Sequence, residues 1–284
     1  MTSSDHWDEA SARRYDDSVA EMFAPEVLDP AVDVLAALAQ GGPALELAIG
    51  TGRVAVSLSA RGVAVSGIEL SEPMVRRLRD KADAVTIPVV VGDMATATAP
   101  ARPTAPATAT ASATATASTA SATATGPGEF TLVYLVFNTI GNLRTQEEQV
   151  ACFANAARHL APGGRFVLEV GVPPLRRLPP GQDAVPFDVG EAHVGFDTYD
   201  VVTQQATSHH LTREADGSYR RSTHRYRYAW PAELDLMARL AGLELERRTA
   251  DWQGTAFTPE SRSHVSLWRK PQTGHAHSTP AEGH

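Results

Sequence analysis

The segment ALELAIGTGRVAVSLSARGVAVSGIEL, residues 44–70, restricts the fold more than any other part of the chain. A short apolar run ends in a glycine-rich turn, a helical stretch follows, and a second apolar run closes the unit. This is a β-α-β pattern, and its helical crossover makes the two strands parallel. The alternation continues through helix SEPMVRRLRDKA (71–82), strand TIPVVVGD (86–93), strand FTLVYLVFN (130–138), helix TQEEQVACFANAARHL (145–160) and strand RFVLEVG (165–171). Near-continuous apolar runs belong to strands covered on both faces, so the expected fold is α/β with a doubly wound, Rossmann-like sheet.

Two helices are expected over residues 5–40, the second with Leu28, Val32, Leu35 and Leu38 at helical spacing before Gly41 and Gly42 stop it. Between the third and fourth strands lies an Ala/Thr-rich stretch, residues 95–128, with one charged residue, Arg102, and no aliphatic side chain larger than Ala. Such a segment cannot offset the entropy of ordering it, so a disordered surface insertion is expected. The remaining 250 residues suit one domain with an elaboration. The tail, residues 271–284, carries His275, His277 and His284 and reads as a frayed polar terminus rather than a metal site.

The formal net charge of −8 argues against a nucleic-acid partner, which needs clustered Lys and Arg. A small molecule fits better. The single cysteine, Cys152, excludes a disulfide framework and reads as a buried apolar residue. The acidic start MTSSDHWDEASARRYDD lacks the apolar core of a secretory signal, and no run approaches the ~20 apolar residues of a membrane span. A cytoplasmic protein with no membrane association is expected.

The turn LELAIGTGR (45–53) closes the first strand and opens a helix, where glycines let a backbone approach a ligand and helix amides point outward. Read alone it is ambiguous. Gly50, Gly52 and Ala55 satisfy the G-x-G-x-x-[GA] dinucleotide pattern, and Glu69 follows Gly50 by 19 residues, near the distance of a ribose-binding acid. An NAD(P)-dependent oxidoreductase is therefore the first alternative, although no Tyr-x-x-x-Lys dyad is present.

Three further features make the chain resemble the class I S-adenosylmethionine-dependent methyltransferases. Glu46 precedes the glycines as in that family's acidic-x-x-x-Gly-x-Gly pattern, although Ala48 stands where the commonest version has a third glycine. Strand three ends in Gly92-Asp93-Met94, similar to the family's adenine-binding corner. Helix PAELDLMARLAGL and strands LELERRTADWQ and HVSLWRK resemble the reversed hairpin that finishes the family's seven-stranded sheet with an antiparallel last strand. The resemblance implies S-adenosyl-L-methionine as cofactor, held by Glu46, Ala48, Gly50, Gly52, Glu69, Leu70, Met74, Asp93 and Met94. Glu69 would accept from the ribose hydroxyls, Asp93 from the adenine amine, and Met94 would lie against the ring. Asp93 and Glu69 must then share one side of the sheet. Arg53, at the helix start, is the expected cation for the methionine carboxylate. Tyr15 and Phe23 resemble the paired aromatics by which small-molecule N-methyltransferases close a helix over the cofactor, and aromatic faces suit a sulfonium. Phe137 and Asn138, at the end of strand four, fall at the topological switch point.

Residues 172–230 are expected to form an antiparallel β cap over the substrate site. Asp216 and Gly217 mark a two-residue hairpin turn. With Ala215 opposite Ser218, one face of the hairpin holds His209, His224, Tyr226, Tyr228 and Trp230, while the other holds Ser208, His210, Thr223, Arg225 and Arg227. A one-residue longer loop would exchange the pairing. His209, then His224, are the candidate bases, with Tyr226 as an orienting group. The expected activity is methyl transfer to an O or N, less readily a C, nucleophile of a small molecule such as a secondary metabolite; a non-catalytic S-adenosylmethionine-binding protein is the other alternative.

Overall fold

The computed structural model describes residues 7–81, 87–99 and 128–272. Two helices, α1 (Glu9–Ser18) and α2 (Pro25–Ala39), precede the sheet. Then follow β1 (Ala44–Leu47), α3 (Arg53–Ala60), β2 (Val65–Glu69), α4 (Glu72–Lys81), β3 (Val89–Val91), β4 (Phe130–Leu135), α5 (Gln146–His159) and β5 (Leu160–Gly171). After four cap strands come α6 (Pro231–Leu240) and a closing pair, β10 (Glu244–Thr249) and β11 (Ser263–Arg269).

The seven strands run in the order β10-β11-β5-β4-β1-β2-β3. The first five strands of the chain are parallel, and β11 lies antiparallel between β5 and β10. The sheet is the doubly wound one expected, finished by the reversed pair. Along β4, Val133 and Leu135 face one core cluster while Leu132 and Tyr134 face the other; Phe166, Val167 and Leu168 on β5 divide the same way. Period-two alternation with both faces buried explains why these strands read as unbroken apolar runs. From β1 the chain runs outward to β2 and β3, then returns to β4 on the other side, so the crevice at the carboxyl ends opens beside β1.

α5 begins with a complete capping box: the Thr145 hydroxyl accepts the Glu148 N–H and the Glu148 carboxylate accepts the Thr145 N–H. Cys152 on this helix is buried and unpaired with any other thiol, and burial pushes its pKa up. Residues 95–99, assigned from sequence to the disordered insertion, are instead packed here. The Asn155 amide donates to the carbonyls of Met94 and Ala97, and the Ala99 N–H donates to His159 Nε2 at 2.9 Å. The rest of that stretch, residues 100–127, lies outside the described residues, as does the histidine-bearing tail from 273. No helix among the described residues is long and apolar enough to cross a membrane.

The cap is a separate four-stranded antiparallel sheet of β6 (Ala184–Val189), β7 (His193–Asp200), β8 (Gln205–Arg213) and β9 (Tyr219–Arg227), in that order. Its hairpin register differs from the sequence expectation by one residue: His209 pairs with Thr223 and Ser208 with His224. The cause is the turn. Glu214 and Ser218 close it through Glu214 N–H to the Ser218 carbonyl, leaving three loop residues, with Gly217 at φ +85° and Asp216 Oδ1 accepting the Ser218 N–H. The extra residue transfers every β8 side chain to the opposite partner set.

Candidate cofactor cleft and acceptor wall

At the end of β1 the backbone turns sharply. Ala48 adopts φ +52°, at a cost of roughly 1–2 kcal/mol for a residue with a side chain. Gly52 sits at φ +81°, where a Cβ would lie 2.1 Å from Cδ1 of buried Leu78. Phe137 and Asn138, after β4, are also left-handed, at φ +58° and +59°. Strained non-glycine backbone concentrated at strand ends marks a functional rim.

Beside this turn lies an open cleft, about 640 Å³ when its solvent-open mouth is included. Its walls include Ala48, Gly50, Glu69, Leu70, Met74, Asp93 and Met94, all singled out from sequence, together with Tyr15. Asp93 and Glu69 therefore stand on the same side of the sheet. Glu69 is held firmly: Oε2 accepts the Gly50 N–H and Oε1 the Ser71 N–H, each at 2.8 Å. Burial pushes its pKa up, opposed by these backbone donors. Each carboxylate oxygen keeps lone pairs beyond these bonds for a ligand. Asp93 Oδ1 accepts the Ala95 N–H at 2.8 Å.

The remaining sequence candidates back the cleft without lining it. Glu46 is buried and its Oε2 accepts the Tyr134 hydroxyl at 3.0 Å; burial raises its pKa to about 8. Arg53 donates to the Met22 carbonyl at 3.3 Å and its guanidinium lies 5.4 Å above the Phe137 ring. Asn138 Oδ1 accepts the Gly171 N–H, and Phe137 N–H donates to Glu169. Of the two aromatics singled out from sequence, Tyr15 lines the cleft and meets Trp7 edge-on at 5.1 Å, while Phe23 lies under the Lys81 ammonium at 5.1 Å. A helix-to-turn clasp does this, since Asp16 of α1 accepts from Thr51 Oγ1 at 2.6 Å and pairs with Lys81, drawing α1 over the glycine turn.

Sequence reasoning missed Trp7, Ser71, Thr139, Asn142 and Leu143, all of which line the cleft. Trp7 was legible as an aromatic eight residues before Tyr15. Thr139 and Asn142 carry no motif and reach the site only because β4 ends there.

On the cap, the register change separates the nominated histidines. His224 and Tyr226 stack at 6.2 Å on the face that also carries Ser208 and His210. His209 is on the other face, stacked on Phe196 at 4.7 Å with Nε2 3.1 Å from Thr198 Oγ1. The face with Tyr226 packs on Leu175 and Leu178, and Tyr226 abuts Gly141, inside the turn whose Thr139 and Asn142 line the cleft.

A doubly wound sheet with acids at the ends of two adjacent strands and a cleft over a glycine turn defines a cofactor-binding α/β enzyme scaffold. The methyltransferase-domain family model matches residues 44–105. The chain is similar to the CcbJ methyltransferase of Streptomyces caelestis, at 35% identity over 85% of this chain and 88% of that one, with a TM-score of 0.69. It is 25% identical over 261 residues to a cypemycin N-terminal methyltransferase of a Streptomyces species, covering 87% of this chain and 94% of the relative. An S-adenosylmethionine-dependent methyltransferase of Clostridium acetobutylicum shares the fold at 11% identity, with a TM-score of 0.65 and coverage of 90% and 98%. The chain belongs to the class I S-adenosylmethionine-dependent methyltransferases and is an enzyme of that class. The oxidoreductase and non-catalytic readings are not favoured.

Proposed function

We propose that this enzyme methylates the amine nitrogen of a small molecule, with residues 172–230 as the acceptor-side cap, 1–40 closing the cofactor side, and the cytosol as its compartment. The cofactor supplies a methyl group on a sulfonium, so no further activation of the leaving group is required. The lining suits it. Glu69, fixed by two backbone N–H groups, offers acceptor lone pairs for a diol, and Asp93 offers one for an exocyclic amine. Met74, Met94 and Leu70 supply the apolar walls of a ring slot, and Tyr15 and Trp7 bring aromatic rings whose faces suit a cation. Glu46 and Arg53 act from behind, shaping the turn rather than touching the ligand.

The observation that carries the amine reading is the chemistry of the lining. Among the described residues that line the cleft there is no His, Lys or Cys; the two acids are tied to backbone amides, and burial raises the pKa of Tyr15, keeping its phenol neutral. A hydroxyl or carbon acceptor calls for a base in reach, whereas a neutral amine is already nucleophilic and needs only positioning. The N-terminal specificity named for the cypemycin relative supports the same choice. Release of S-adenosylhomocysteine is to be measured across matched amines and alcohols. Turnover confined to amines is expected; turnover of the alcohols alone would overturn the reading.

A further inference from the structure

The Tyr226 face of the cap carries a row of polar groups that the cofactor cleft does not use. Asp197, opposite Ser208, lies at its centre. Its Oδ2 accepts the hydroxyls of Tyr199 at 3.0 Å and Tyr226 at 3.1 Å. Its Oδ1 is buried and has no hydrogen-bond partner. Burial raises the pKa of both phenols, so both remain donors. Half of the carboxylate thus meets no protein donor, the kind of buried polar atom that native structures complete with a ligand or an ordered water. The position is also right. Tyr226 spans from Asp197 to Gly141, and the same turn contributes Thr139 and Asn142 to the cleft.

We propose that Asp197, oriented by Tyr199 and Tyr226, is the specificity residue that receives the N–H groups of the acceptor's amine, selecting a cationic or amine-bearing acceptor over a neutral alcohol. This rests on the amine reading above. Oδ1 supplies the unfilled acceptor, and the carboxylate charge suits nitrogen as the ammonium that docks; that ammonium gives one proton to solvent before its freed lone pair takes the methyl group from sulfur, and the methylated ammonium that results again matches the carboxylate. Holding the carboxylate by two phenols instead of an Arg or Lys leaves its charge uncancelled and available. The neighbouring chain Asp188–His193–His210–Ser208, linked at 2.6, 3.1 and 3.2 Å, places no fixed cation against it.

The test uses the full chain saturated with S-adenosylhomocysteine and two probes of equal shape, cyclohexylamine (charged at pH 7.5) and cyclohexanol, titrated by NMR. Wild type is expected to bind the cation about tenfold or more tighter, as one charge-assisted hydrogen bond allows. Asp197→Asn should bring the ratio near one, with S-adenosylhomocysteine affinity unchanged. Tyr226→Phe, which keeps the carboxylate, should retain the preference even if the Asn variant folds poorly. A preference that survives Asp197→Asn, is lost in Tyr226→Phe, or is absent from wild type overturns the proposal. If amines are methylated while the preference survives Asp197→Asn, the amine reading stands and this assignment falls.

Discussion

Glu46 keeps its proton to about pH 8 in the folded chain because it is buried, against 4.5 for an ordinary glutamate. Between those values the unfolded chain releases a proton that the folded chain retains, so the fold binds more protons and its stability falls as pH rises through that window. Glu46→Gln retains the neutral shape and the Tyr134 bond, and should remove this slope. Thermal unfolding of both forms between pH 5 and 8 is to be compared; parallel curves would mean Glu46 is ionised in the fold. Ala48 illustrates a different residue-scale cost. Its left-handed backbone favours glycine, so Ala48→Gly should leave stability unchanged or raise it by up to about 1 kcal/mol, read as Tm. Glu69 was legible from its spacing after the turn glycines at a strand end, and Glu46 and Asp93 through the family resemblance. Thr139 and Asn142 were not, since they arrive by tertiary packing and belong to no local pattern.

At the level of elements, the cap is joined to the core by one buried cation. Arg227 donates to Gln149, Gln204 and Glu233 at 2.5, 2.7 and 2.7 Å, and it is 4% exposed. Burial works against ionised Glu233, but hydrogen bonds from Gln204, Arg227 and Gln146 outweigh it and hold its pKa down. Arg227→Ala removes the cation paired with Glu233, which keeps only its bonds from Gln204 and Gln146, and the donor to Gln149 Oε1, and should cost about 3–5 kcal/mol, measured by denaturant unfolding. A loss under 1 kcal/mol would show that the cap docks by its apolar contacts instead. The hairpin shows where sequence reading stops. Its strands were visible by alternation, but a choice between two and three loop residues reverses a whole face, and Asp-Gly serves both turns. Of the other two cap strands, β6 was hidden by Pro186 on an edge strand that is largely exposed, and β7, inside the sheet, by its mixed polarity.

For the whole molecule, the parallel core was readable because burial on both faces leaves no freedom in composition, and the closing antiparallel pair was readable through the family resemblance. The placement of the cap sheet against the core was not, because no local motif encodes it. The Ala/Thr-rich segment departs from and returns to one place: the Ala99 N–H bonds His159, and Gly128 lies beside the Leu160 carbonyl. Replacing residues 100–127 by a short Gly-Ser bridge should therefore leave melting temperature and cofactor affinity close to wild type, because loop closure depends weakly on length. The account depends most on the cleft at the ends of β1, β2 and β3. Calorimetric titration of S-adenosylmethionine into wild type and Glu69→Ala tests it most directly. One site per chain is predicted, with affinity weakened about tenfold or more in the variant, as expected for lost charge-assisted hydrogen bonds. Equal affinity in a folded variant would contradict it.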